Sequence, residues 1–104
     1  MKIVISNEAY KDIESIFEYI SFDSIKYANE TLSNIYSLIY KLETFPYLGK
    51  YVPEFSSKQY RQLLYKSYKI VYSVSEEKNT IYIHFIIHTK RDFLQLFEKK
   101  ERKL

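Results

Sequence analysis

Tyr68-Lys69-Ile70-Val71-Tyr72-Ser73-Val74-Ser75 is the stretch on which the fold turns. Its residues alternate. Tyr68, Ile70, Tyr72 and Val74 fall on one side of an extended chain, and Lys69, Val71 and Ser73 on the other. Aromatic and β-branched side chains suit a pleated, half-buried surface, so the stretch reads as a strand. The polar residues Glu76 to Asn79 then read as a turn. Alternation resumes at Ile81, with Ile81, Ile83, Phe85 and Ile87 expected on one face and Tyr82, His84, Ile86 and His88 on the other. Both sets are largely apolar, as in a strand covered on each side. Upstream, Tyr60 to Leu64 is a further strand, and Tyr65-Lys66-Ser67 is the turn that joins it to Tyr68.

The first half of the chain has a different period. Lys2-Ile3-Val4-Ile5 is short and β-branched, so it reads as a strand. Ser6 and Asn7 can cap a helix, with Glu8 in its first turn. Ala9, Ile13, Ile16, Phe17 and Ile20 follow at helical spacing on one face, and Asp12, Glu14 and Glu18 lie off that stripe. Asp23 and Ser24 form a second cap. After them Ile25, Ala28, Leu32, Ile35, Ile39 and Leu42 keep helical step until Phe45-Pro46, where proline disfavours helix in the residue before it. At the other end, Phe93, Leu94 and Phe97 make a short apolar stripe on a charged terminal helix. The expected order is β-α-α-β-β-β-α. This is an α+β class in which an N-terminal strand and helical hairpin pack on a mostly antiparallel sheet, with a short C-terminal helix and the helices on one face. No linker or repeat divides the sequence, so residues 1–104 are expected to form one domain.

Composition narrows the chemistry. A chain of 104 residues and 12.7 kDa can bury roughly 65% of its unfolded surface without metals or disulfides. It has no cysteine, which excludes disulfides, zinc–cysteine sites, iron–sulfur clusters and thiol nucleophiles. With a single glycine there is no Gly-rich phosphate loop. The longest run free of Asp, Glu, Lys and Arg is Asn79–Thr89, far short of the about 20 apolar residues a membrane span needs. Glu8, Asp12, Glu14 and Glu18 are foreign to a secretory signal peptide, so a cytoplasmic location is expected. A net charge of +3 permits a polyanionic partner without requiring one. Most of the twelve tyrosines fall on core periodicities, which explains them better than base stacking does.

Few side chains are candidates for chemistry. His84 and His88 are the only histidines, and on a strand they stand about 13 Å apart, too far to share a metal. No metal site or cofactor is expected. A Ser-His-Asp triad has no glycine-flanked nucleophile to support it. Arg61 and Lys69 sit on adjacent strands, while His88 and Arg91 lie at and after the end of the last one. Strand pairing is expected to gather Arg61, Lys69, His88 and Arg91 on one face. There Arg would bind phosphate through paired donors and His would exchange protons near neutral pH. The plainer alternative is that each is a solvated charge. Glu54, in the loop after Gly49-Lys50-Tyr51-Val52-Pro53, becomes a candidate general base if it lies near such a site.

These residues resemble the RelE/ParE superfamily of bacterial type II toxins. The likeness lies in Tyr60-Arg61-Gln62-Leu63, then Tyr68-Lys69-Ile70-Val71-Tyr72, then Ile86-Ile87-His88-Thr89-Lys90-Arg91-Asp92. The Ala9-x-x-Asp12 opening, the Tyr19-Ile20 pair and the Pro46-x-x-Gly49 break extend it over nearly the whole chain. The resemblance implies a toxin held inactive by a cognate antitoxin protein. Two activities occur in the superfamily: RelE-like and YoeB-like members cut messenger RNA on the ribosome, and ParE-like members poison DNA gyrase.

The ribonuclease branch is the reading taken from sequence, with gyrase inhibition as the alternative and a non-catalytic protein-interaction domain as a third. For the ribonuclease, the resemblance implies that Arg61 and Arg91 stabilise phosphate, with Lys69 where related enzymes often carry Arg. Glu54 would take the 2′-hydroxyl proton, and His88 would protonate the leaving oxygen. The partners would be the ribosome and mRNA, and no cofactor would be needed. Phe97 stands where the RelE branch has a tyrosine, which removes that branch's hydroxyl and leaves His88 as the acid.

Overall fold

The computed structural model describes residues 1–90 and 93–104, and side chains for all of these except Phe93 and Leu94. It runs β1 (Lys2–Ile5), α1 (Asn7–Ser21), α2 (Ile25–Tyr40), a 3-10 turn (Lys41–Glu43), β2 (Lys50–Tyr51), β3 (Tyr60–Tyr65), β4 (Tyr68–Ser75), β5 (Thr80–His88) and α3 (Phe93–Arg102). The strands form one five-stranded sheet in the order β1-β5-β4-β3-β2, antiparallel except where β1 runs parallel to β5. The α+β architecture is the expected one.

Both helix starts are where the capping residues put them. The Ser6 hydroxyl accepts from the Ala9 N–H and the Ser24 hydroxyl from the Tyr27 N–H, each satisfying a donor that the first turn leaves unpaired. Ala9, Ile13 and Ile16 of α1 and Ala28, Ile35 and Ile39 of α2 are buried. The hairpin packs all of these except Ala28 against Leu63, Ile70, Tyr72, Ile81, Ile83 and Ile86 of the sheet. Burying each isoleucine side chain contributes about 1.5–3 kcal/mol.

The structure departs from the sequence reading in four places. Ile25 is 61% exposed, and Thr31 takes a buried place on α2. A short extra strand, β2, pairs Lys50 with Gln62 and Tyr51 with Arg61 at the sheet edge. In β5 the register steps from Phe85 opposite Val71 to Ile83 opposite Tyr72, which leaves His84 as a bulge. The extra residue reverses the alternation: Ile81, Ile83 and Ile86 face the hairpin, while Phe85 and Ile87 face away from it. Finally, the helices are not on one face. Phe97 of α3 packs with Val52, Phe55, Val71, Phe85 and Ile87 in a second core on the opposite side of the sheet.

Candidate functional site

Lys69 points to the α3 side of the sheet. Its Nζ donates to Glu54 Oε2 at 2.7 Å and lies 5.7 Å from the Phe97 ring centre. Glu54 is carried there by a loop whose neighbours Val52 and Phe55 are anchored in the second core. The two side chains keep only 11% and 27% of their surface exposed, so this pair is less screened than a solvated ion pair.

Arg61 is on the other side. It stands opposite Tyr72, whose ring is in the hairpin core. Its Nη1 donates to the Gly49 carbonyl at 2.8 Å, and its guanidinium lies 4.9 Å from the Tyr47 ring and 4.4 Å from the Tyr51 ring. The loop that presents Gly49 is pinned by Tyr72, whose hydroxyl accepts from the Gly49 N–H at 2.8 Å and donates to the Pro46 carbonyl at 3.0 Å. Only glycine fits there, because a Cβ would lie 2.4 Å from the Gln62 carbonyl oxygen.

His88 also faces the hairpin side, edge-on to Tyr68 with ring centres 5.0 Å apart. Its Nδ1 accepts from the Lys90 N–H at 3.0 Å, which places the proton of the neutral ring on Nε2. Arg91 lies outside the described residues. The structure thus joins Lys69 to Glu54 and does not bring Arg61 or His88 onto their face. The expected gathering on one face fails for a simple reason. Arg61 pairs with Tyr72, and Tyr72 is an odd number of residues from Lys69 along a strand of period two.

Two groupings have no local sequence signal. Asp12 accepts from the Ile86 N–H at 2.9 Å and pairs with Lys100. Lys100 also reaches Glu8 at 2.9 Å, and Lys103 reaches Glu8 at 2.9 Å. This network ties α3 to α1 across nearly the full length of the chain. Hydrogen bonds from Lys103 and Lys100 hold the Glu8 carboxyl down to about 2. Burial pushes Asp12 up despite its lysine, because desolvation outweighs the ion pair. The other grouping is His84, whose Nε2 lies 2.7 Å from the Ser73 hydroxyl and whose ring is 5.3 Å from that of Tyr60 and 6.4 Å from that of Tyr82. Burial lowers its pKa. Among the described residues no group of three His, Cys, Asp or Glu side chains is placed to hold a metal, and no helix is long and apolar enough to cross a membrane.

The chromosomal ParDE system of P. aeruginosa has the same fold, with a TM-score of 0.71 at 17% identity over 86% of this chain and 97% of that one. The RelBE2 toxin–antitoxin complex of Mycobacterium tuberculosis gives 0.64 at 15% identity, over 84% and 95%. The isolated E. coli RelE toxin gives 0.62 at 14% identity, over 99% and 98%. No curated protein matches the sequence. The profile of the ParE toxin of the parDE type II toxin–antitoxin system matches residues 3–93. With that span covering most of its length, the chain belongs to the ParE toxin family of type II toxin–antitoxin systems.

Proposed function

We propose that this toxin acts by binding a protein target, DNA gyrase, and that a cognate antitoxin neutralises it. The observation that carries this reading is the separation of Arg61 from Lys69 and Glu54 on the two faces of the sheet. In-line cleavage of RNA needs a base, an acid and phosphate-stabilising cations around one phosphorus. Arg61 instead lies against the rings of Tyr47 and Tyr51 near the sheet edge, an arrangement suited to a protein contact surface.

The ribonuclease reading retains one specific observation, the meeting of Glu54 and Lys69. There Glu54 would accept the 2′ proton and Lys69 would stabilise the phosphorane, while the acid, His88, stands on the other face of the sheet.

One experiment separates the two. The toxin is expressed without its antitoxin, and gyrase-linked DNA breaks and messenger RNA ends are mapped in the same cells. The expected result is growth arrest with gyrase-linked breaks and no new message ends. Message cleavage that disappears in Glu54→Gln and slows about 10²–10⁴-fold in His88→Ala would establish the ribonuclease instead.

A further inference from the structure

A cleft of about 180 Å³ opens beside the β3–β4 turn, against α1 and α2, and is lined by Ile20, Tyr27, Thr31, Lys66, Tyr68 and His88. Thr31 is 3% exposed, and its hydroxyl interacts with that of Tyr27 without a well-formed hydrogen bond among the described residues. Lys66 stands at the mouth. Its Nζ donates to the Tyr27 hydroxyl at 2.9 Å and lies 4.9 Å from the Tyr27 ring centre and 5.6 Å from that of Tyr65. Tyr65 is itself held by a hydrogen bond from Asn34 at 3.0 Å. The ammonium is therefore positioned rather than free to sweep through solvent.

The backbone under that lysine is left-handed, as it is at Asn79 in the next turn. Lys66 has φ 51°, in a two-residue hairpin turn where a positive φ favours glycine.

We propose that this cleft is an oxyanion subsite that receives the carboxylate of an Asp or Glu side chain inserted by a partner protein. Lys66 supplies the charge, and the hydroxyls of Tyr27 and Thr31 supply hydrogen bonds. The depth of Thr31 selects the ligand. A carboxylate at the tip of a side chain reaches it, whereas a phosphodiester flanked by two sugars does not. A strand of nucleic acid would also need a row of cations, and the cleft lining holds one lysine, Lys66. Taking the antitoxin as the partner rests on the toxin reading above, and the net charge of +3 suits an acidic one.

The test is an NMR titration of the full chain freed of antitoxin. Sodium acetate is titrated against sodium chloride at fixed ionic strength, with inorganic phosphate as a second arm. Acetate should give saturable shifts at Tyr27, Thr31 and Lys66. These should vanish in Thr31→Val and weaken about ten-fold or more in Lys66→Gly, which relieves the positive φ and so stays folded. Shifts no different from chloride, or unchanged in both variants, would overturn the subsite. Saturation by phosphate and not by acetate would overturn the carboxylate assignment. In the toxin–antitoxin complex, Lys66→Gly should release antitoxin about ten-fold faster. Unchanged release would overturn the antitoxin as its source, while growth arrest by the free chain reports separately on the toxin reading.

Discussion

Arg61 and Lys69 stand on neighbouring strands and project from opposite faces of the same sheet. Each face has its own core: the helical hairpin covers one, and Phe97 of α3 seals the other. The two cations therefore belong to different surfaces, and a partner that meets Arg61 at the β2 edge does not touch the Lys69–Glu54 pair by the same contact.

Tyr72 connects the hairpin core to the loop that presents Gly49 to Arg61. Tyr72→Phe removes a hydroxyl that satisfies both the Gly49 N–H and the Pro46 carbonyl, and should cost about 1–3 kcal/mol. Gly49→Ala should also destabilise, because the added Cβ meets the Gln62 backbone. Urea unfolding midpoints check both, and unchanged midpoints would mean the loop is not held by these contacts.

The α2 stripe is not uniform in energy. Ile35 is 0% exposed, so Ile35→Ala should cost about 2–5 kcal/mol through the cavity it leaves. Ile25→Ala should fall within about 0.5 kcal/mol of wild type, since Ile25 is 61% exposed. Equal losses in chemical denaturation would contradict the observed burial.

Acid should loosen the α1–α3 network. The folded pKa of Glu8 lies at about 2, below the ordinary 4.5, so its contribution is present above pH 4.5 and is lost as pH falls toward 2. Asp12 has a raised pKa, so its own titration opposes this trend above its ordinary 3.8. Because Glu8 is partly solvated, its share is on the order of 1 kcal/mol. Glu8→Gln should flatten the fall in stability between pH 4.5 and about 2, read by thermal unfolding. An identical fall in the variant would assign it to other carboxylates.

His84 should give a second pH dependence nearer neutrality. Burial lowers its pKa below the ordinary 6.5, so the unfolded chain takes up this proton first. The stabilisation is complete above pH 6.5 and declines as pH falls below it. His84→Gln should remove that part of the slope between about pH 7 and pH 5, measured by urea unfolding at each pH. A slope that persists in the variant would place its origin in another group.

The sequence by itself determined the helices, the caps and the β3–β4–β5 meander, because these are local. Ser6 and Ser24 cap their own next turn, and Tyr68 to Ser75 alternates in its own pleat. Its ordered residues also carried the resemblance to the toxin superfamily. Tertiary structure decided which face each functional side chain occupies. A single bulged residue, His84, moved Phe85 and Ile87 to the far side of the sheet, and nothing in the local alternation marks where a strand will bulge. The pairing of Arg61 with Tyr72 sent Arg61 away from Lys69, and register is a property of two strands rather than one. Lys100 meets Asp12 and Glu8 only because α3 returns to α1, a contact between distant parts of the chain that depends on how the sheet brings its ends together.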